Sequence, residues 1–261
     1  MTELADRTLS AVGFDAVALK PAEVDLRQAS ALDIDIVTVD YEGPEHVPSA
    51  DTLRALSEEF EVRTTVPVRA DGFDPLGDDS RLDDIPDAVG EVLVAGHPTY
   101  LTHEERTRAV APRLETASRD SKSPWVGTEG VERLALAIGG TQFDLLSSTT
   151  AREVYALRMA GFEGEIAVYA PTVLSDDADT VLDAVGTYAA RRGQVNAALP
   201  ANAPQDSSAT GKARETLLSA CHEYGLVGDA GTVARRISEL REMGVDYVVG
   251  YPARGLEPVL E

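Results

Sequence analysis

Short apolar runs alternate along the chain with longer segments whose apolar residues recur at the helical period, the pattern of repeated βα units around a parallel sheet. Eight runs read as strands: Ala16–Leu19, Ile34–Asp40, Val62–Val68, Val92–Ala95, Trp125–Gly127, Phe143–Leu146, Ile166–Tyr169 and Tyr247–Gly250. Their apolar content is nearly continuous, as it is in strands covered on both faces. Helical periodicity marks Ser49–Phe60, His103–Ala117, Thr149–Ala160, Asp176–Arg192 and Asp229–Met243, with start signals at Thr149–Thr150 and at Ser175 or Asp176. The crossovers between the second and third strands and between the fifth and sixth hold only short helices.

Three strands are introduced by one motif, Gly13-Phe14-Asp15, Gly161-Phe162-Glu163 and Gly244-Val245-Asp246. Glycine at the end of a helical pattern takes the left-handed conformation that closes the helix, and the apolar residue after it turns the chain into the sheet. One connection stands apart. Residues 193–211 are rich in Ala, Asn, Pro, Ser and Gly and read as a flexible loop inserted before a short helix near Lys212–Glu223, with the composition of a lid or of a solvated insertion. The expected architecture is an α/β fold, a single (β/α)8 TIM-barrel-like domain over residues 1–261, a size at which such barrels form one domain.

Composition narrows the function. The chain carries 45 Asp and Glu against 23 Lys and Arg, a formal net charge of −22, which repels phosphate backbones and anionic lipid and disfavours nucleic acid or membrane as partners. Lysine occurs only at Lys20, Lys122 and Lys212, so arginine supplies the other cations. That combination suits a salt-rich cytoplasm, where a hydrated acidic surface stays soluble and its self-repulsion is screened. A lone Cys221 forms no internal disulfide, no apolar run approaches a spanning helix, and Met1–Ser10, with Glu3 and Asp6, lacks the basic and apolar regions of a signal peptide. A cytoplasmic location is the expectation.

In a parallel barrel the active site lies at the carboxyl ends of the strands. Those ends carry Lys20, Asp40, Tyr41, Glu42, Arg69, Asp71, His97, Thr128, Glu129, Ser147, Ser148, Tyr169, Tyr251 and Arg254. His97, after Val94-Ala95-Gly96 and before Pro98, is placed to act as acid, base or metal ligand, or to bond a loop carbonyl. Asp40 and Glu42 flank Tyr41, so strand alternation aims both carboxylates one way. Lys20 suits an anion, a Schiff base or an ion pair with Asp40 or Glu42. Pro124-Trp125-Val126-Gly127-Thr128-Glu129-Gly130 reads as a strand followed by a small-residue turn whose N–H groups, with the following helix, suit a phosphate. Glu129 opposes such a charge, and Lys20 and Arg69 are among the few cations that offset it.

The stretch PWVGTEGVERLALAIGGTQFDLL resembles the luciferase-like flavin or deazaflavin-dependent oxidoreductases, in which a P-W-V-G strand precedes a glycine turn and a helix with R-L-A. GEIAVYAPTVLSDDADTVLDAVGTYAARR is similar to the seventh strand and long helix of that family, and YGLVGDAGTVARRISELREMGVDYVVGYP to its closing turn, helix and last strand. The resemblance covers residues 124–252. It implies a barrel binding a deazaflavin or FMN ring at the strand mouths, hydride transfer to or from a small organic substrate, Gly127, Thr128, Glu129 and Gly130 near the cofactor, and often a homodimer. The first 120 residues are shorter than in the family, and its usual large insertion is not evident.

The reading is therefore a luciferase-like oxidoreductase with His97 moving the proton, Glu42 or Asp40 as its electrostatic partner, and Gly127–Gly130, Lys20 and Arg69 on the cofactor. The alternatives are a Mg- or Mn-dependent lyase or isomerase acting on a sugar or hydroxy acid, using Asp40, Glu42, Asp71, His97 and Glu129, and a degenerate ligand-binding barrel. The charge balance makes a prediction independent of all three. The melting temperature should fall as potassium chloride is withdrawn, and a melting temperature that holds or rises by calorimetry overturns the halophilic reading.

Overall fold

Strand alternation sorts the apolar residues into an inner and an outer set. Val17, Leu19, Val37, Val39, Val62 and Val168 belong to a core cluster beneath the surrounding helices, whereas Ala16, Ala18, Ile36, Val92, Val94, Trp125, Phe143, Ala167, Tyr169 and Val249 cluster inside the sheet. The computed structural model describes residues 8–127 and 132–260. Its strands are β1 (Ala16–Leu19), β2 (Ile36–Val39), β3 (Glu61–Pro67), β4 (Gly90–Val94), β5 (Trp125–Gly127), β6 (Thr141–Leu145), β7 (Ile166–Val173), β8 (Leu226–Val227) and β9 (Tyr247–Pro252). All pair in parallel, β1 through β7 in sequence, and β9 joins β7 to β1 and closes an eight-stranded barrel. Followed through every ladder, the register returns to β1 displaced by about eight residues, the stagger of a (β/α)8 barrel. The short β8 flanks the end of β7, pairing with Thr172 and Val173.

An aromatic column fills the interior. Tyr247, Trp125, Phe143, Tyr169 and Tyr251 follow one another with ring centroids 5.3, 5.7, 6.1 and 6.3 Å apart. Ala16, Ala18 and Ala167 leave the space that the indole needs.

The repeated glycine motif has a physical role. Gly13, Gly161 and Gly244 all have positive φ, at 105, 83 and 108°. The acids that follow two of them are acceptors at the amino-terminal rim. Asp15 takes the Val248 N–H at 2.7 Å and the Arg241 guanidinium, and Asp246 takes the Ile166 N–H at 2.8 Å and the Arg158 guanidinium. Each arginine also donates to the glycine carbonyl of the neighbouring turn, Arg241 to Gly13 and Arg158 to Gly244, so side chains stitch adjacent βα units together.

The crossovers differ from the sequence expectation in three places. As expected, β2 to β3 and β5 to β6 have the short helices Ala50–Ser57 and Glu132–Ile138, but β1 to β2 and β3 to β4 carry only the 3₁₀ turns Leu26–Ala31 and Leu82–Asp84. In place of a helix, the β3–β4 loop is held by the buried Asp74, which meets Arg113 at 2.8 Å and Arg108 at 3.4 Å. The helix expected over His103–Ala117 is two, His103–Thr107 and Val110–Asp120, because the Pro112 ring in a continuous helix would strike the carbonyl of Arg108. Third, the expected insertion between β7 and β8 is more structured than a flexible loop. Its helices Ala178–Ala190, Gly193–Ala198 and Gly211–Tyr224 share a core of Val181, Leu182, Val185, Leu217, Cys221 and Tyr224. Residues 193–211 thus begin as a helix, and the Gln205 carbonyl packs so closely on Gly186 that a Cβ there would lie 2.2 Å away. No helix among the described residues is long and apolar enough to cross a membrane.

Asp246→Ala should lower unfolding free energy by about 1–2 kcal/mol, because the Ile166 N–H loses its acceptor and Arg158 its partner. Asp51→Ala, which breaks only an exposed pair with Arg54, should cost under about 0.5 kcal/mol. Urea titration of both variants checks the contrast.

Candidate active site

Alternation carried one step past the ends of β1 and β2 brings Lys20 and Asp40 into the barrel mouth, above Ala18 and Thr38. They line a cavity of about 560 Å³, which also takes in Glu42, Arg69, His97, Tyr100, Phe143, Leu145 and Tyr169. The floor is the upper part of the aromatic column. The rim is completed by Tyr188, Arg191 and Arg192 from the insertion between β7 and β8.

Asp40 is the electrostatic centre. Its Oδ2 accepts the Tyr169 hydroxyl at 3.0 Å, a contact spanning 129 residues of sequence. Burial pushes its pKa up to about 6, and Glu42 and Glu23 push the same way, against the opposing pull of Lys20 and the Tyr169 hydrogen bond. Tyr169 is held well above the ordinary phenol value, by burial first and the adjacent Asp40 charge second. It therefore remains a donor while Asp40 exchanges protons in the neutral range. Burial also raises Glu42, although its Oε2 accepts the Ala22 N–H at 3.1 Å. Tyr100 and Tyr41 are raised by burial, and Tyr41 meets Phe73 and Tyr100 edge-on at 5.6 and 6.3 Å.

The other predicted residues are placed as follows. The Lys20 Nζ pairs with Glu23 at 3.6 Å and lies 3.9 Å from the centre of the Tyr251 ring, so its ion pair is with Glu23 and not with Asp40 or Glu42. The His97 Nδ1 accepts the Thr99 N–H at 3.2 Å, and its ring lies 5.9 Å from Tyr100. The Arg69 guanidinium donates to the carbonyls of Ala95, Gly96 and Arg106 at 2.6, 3.0 and 3.0 Å, tying the end of β3 to the loop after β4. Gly127 is pressed against β6, where a Cβ would lie 2.0 Å from the Phe143 carbonyl oxygen, so glycine is demanded there by the ladder. Thr128, Glu129 and Gly130 lie outside the described residues. Asp71 is drawn away from the cavity into a 2.7 Å pair with Arg108. Among the described residues no three His, Cys, Asp or Glu side chains are grouped to hold a metal ion.

Sequence reasoning noted Tyr169 at a strand end without pairing it with Asp40, and did not single out Tyr188, Arg191 or Arg192. The one local signal for the last two is a doubled arginine closing the long helical pattern in a chain so poor in cations.

A family model matches residues 9–259, that of a family of unknown function, DUF7388. The chain belongs to this family. No curated protein matches the sequence. Among solved structures, an F420-dependent secondary alcohol dehydrogenase in complex with an F420-acetone adduct aligns with a TM-score of 0.63 over 95% of this chain and 96% of that one, at 12% identity. Likeness at that identity shows a shared fold, and function has to be argued from the site.

The Asp40 shift has a consequence for stability. Its folded pKa lies above the ordinary 3.8, so the stabilising protonated state is fully present below the unfolded value and is lost as pH rises through about 6. Asp40→Asn, which keeps an acceptor for Tyr169 without the charge, should raise unfolding free energy by about 1–2 kcal/mol above pH 7 and change it little at pH 4. Denaturant unfolding at the two pH values checks the sign.

Proposed function

We propose that the protein is a deazaflavin-dependent oxidoreductase acting on a small alcohol or carbonyl compound. The observation that carries the reading is the Asp40–Tyr169 pair, a carboxyl with its pKa raised to about 6 against a tyrosine hydroxyl, set in a cavity at the carboxyl ends of the barrel strands. The fold shared with the F420-dependent dehydrogenase supports it.

The cavity suits a flat ring. Pro67, Val94, Phe143 and Leu145 give it apolar walls, and its size lies within the range of about 300–1,000 Å³ usual for small-molecule sites. These residues would hold the ring and keep water from it. A bound deazaflavin supplies a two-electron hydride donor or acceptor. The chain's own part is the proton. Asp40 takes it from the substrate hydroxyl during oxidation and returns it to the carbonyl oxygen during reduction, while Tyr169 orients the carboxyl and Lys20 favours its charged form. Asp40 takes the acid–base role expected of His97 because its raised pKa and tyrosine partner are both on the cavity floor.

The test is titration with reduced and oxidised deazaflavin, with FMN in parallel, by absorbance and fluorescence. Saturable deazaflavin binding is expected, with alcohol oxidation rising through pH 6 and carbonyl reduction falling through it. Asp40→Asn should lower kcat/KM about 10²–10⁴-fold and leave ring affinity within about twofold. Absence of saturable ring binding, or undiminished turnover in the variant, overturns the proposal.

A further inference from the structure

Many arginines here are paired with the protein's own acids. Arg108, Arg158, Arg214 and Arg241 all lie within 2.7 Å of an Asp or Glu oxygen, as expected in a chain with 45 acids. Arg191 and Arg192 are among those without such a pair, as are Arg81, Arg106, Arg235, Arg236 and Arg254, and what sets the two apart is their place. They follow the helix Ala178–Ala190 and line the same cavity as Asp40 and Tyr169, yet neither forms an ion pair with a carboxylate among the described residues.

Arg192 is nonetheless held in place. It donates to the Tyr188 hydroxyl and its guanidinium lies 4.5 Å from the Tyr188 ring centre and 5.4 Å from that of Tyr224. Its Nε is buried with no acceptor, a state that needs an explanation in a folded protein. Stacking on two rings fixes the planar fork before any ligand arrives, so little side-chain freedom remains to be lost on binding. Arg191, exposed beside it, adds a second positive charge close enough to Tyr100 to act on its hydroxyl. Adjacent cations with no carboxylate ion pair among the described residues, at the rim of a cavity, are a receptor for an anion.

We propose that Arg191 and Arg192 form an anion subsite that binds the carboxylate or phosphate of the substrate, whose hydroxyl or carbonyl then lies toward Asp40 and Tyr169. The substrate class is accordingly a small hydroxy or oxo acid, or its phosphorylated counterpart, and not a neutral alcohol. This rests on the oxidoreductase reading for the chemistry at the far end of the substrate, but not for the binding of the anion. The N-terminus of the helix Ala230–Glu242, the other usual anion site of such a barrel, is already filled: Asp229 accepts the Thr232 N–H at 2.7 Å and Asp176 accepts the Asp229 N–H at 3.0 Å.

The experiment is calorimetric titration of the full chain, at constant ionic strength and without cofactor, with 3-hydroxybutyrate, inorganic phosphate and neutral 2-butanol. Deazaflavin affinity is measured separately by fluorescence. The wild-type protein should bind one or both anions saturably and the neutral alcohol at least about tenfold more weakly. Arg191→Gln with Arg192→Gln should weaken the anions at least about tenfold and leave deazaflavin affinity within about twofold, while the paired lysine variant should recover part of the loss. Unchanged melting temperature in both variants shows that the fold is kept. Absent anion binding, anion affinity unmoved by the glutamines, or a parallel loss of deazaflavin affinity overturns the proposal, the last outcome assigning the arginines to the cofactor. Anion binding without deazaflavin binding removes the redox reading and leaves the subsite standing.

Discussion

Closure of the parallel ladder between β9 and β1 is the constraint on which everything else rests, because it gives every strand an inside and an outside with a two-residue period. Once the ladder is closed, Ala16, Ala18, Ile36 and Trp125 have no choice but the interior, and the side chains one step beyond the strand ends converge on the mouth. The same geometry makes the aromatic column the floor of the cavity. Packing below and chemistry above are therefore one continuous stack, from Tyr247 at the amino-terminal rim to Tyr169 beneath Asp40.

The two rims use their charges in opposite ways. At the amino-terminal rim, Asp15 and Asp246 each accept from a backbone N–H and an arginine, and these contacts lock neighbouring units together. At the carboxyl-terminal rim, Asp40 is desolvated and has acids nearby, so its charged form is disfavoured. At the amino-terminal rim Arg158 and Arg241 are paired with Asp246 and Asp15, whereas Arg191 and Arg192, brought over the cavity by the insertion, have no carboxylate ion pair among the described residues.

Local features carried well into three dimensions where nothing distant competed with them. The strands at Ala16–Leu19 and Trp125–Gly127 have the bounds that their apolar runs imply, and the glycines of the repeated motif adopt the left-handed conformation that ends a helix. The β3–β4 crossover escaped because its loop is held by Asp74 with Arg108 and Arg113, residues more than thirty positions away whose partnership leaves no periodic trace. The order within residues 193–211 escaped because their Ala, Asn, Pro and Ser content has the composition of a loop, whereas contact with the helix Ala178–Ala190 lets part of the segment settle as structure.

What the sequence determined by itself is the barrel and the rim at which its polar side chains gather, since both depend on alternation and helix punctuation within a few residues. Only the tertiary structure decided which of those side chains form a site. It joined Asp40 to Tyr169 across 129 residues, bound Arg69 to three carbonyls and Asp71 to Arg108, and set Arg191 and Arg192 over the cavity. Burial and partner choice are properties of the closed chain, and the chemistry of a carboxyl or a guanidinium depends on them more than on its neighbours in sequence.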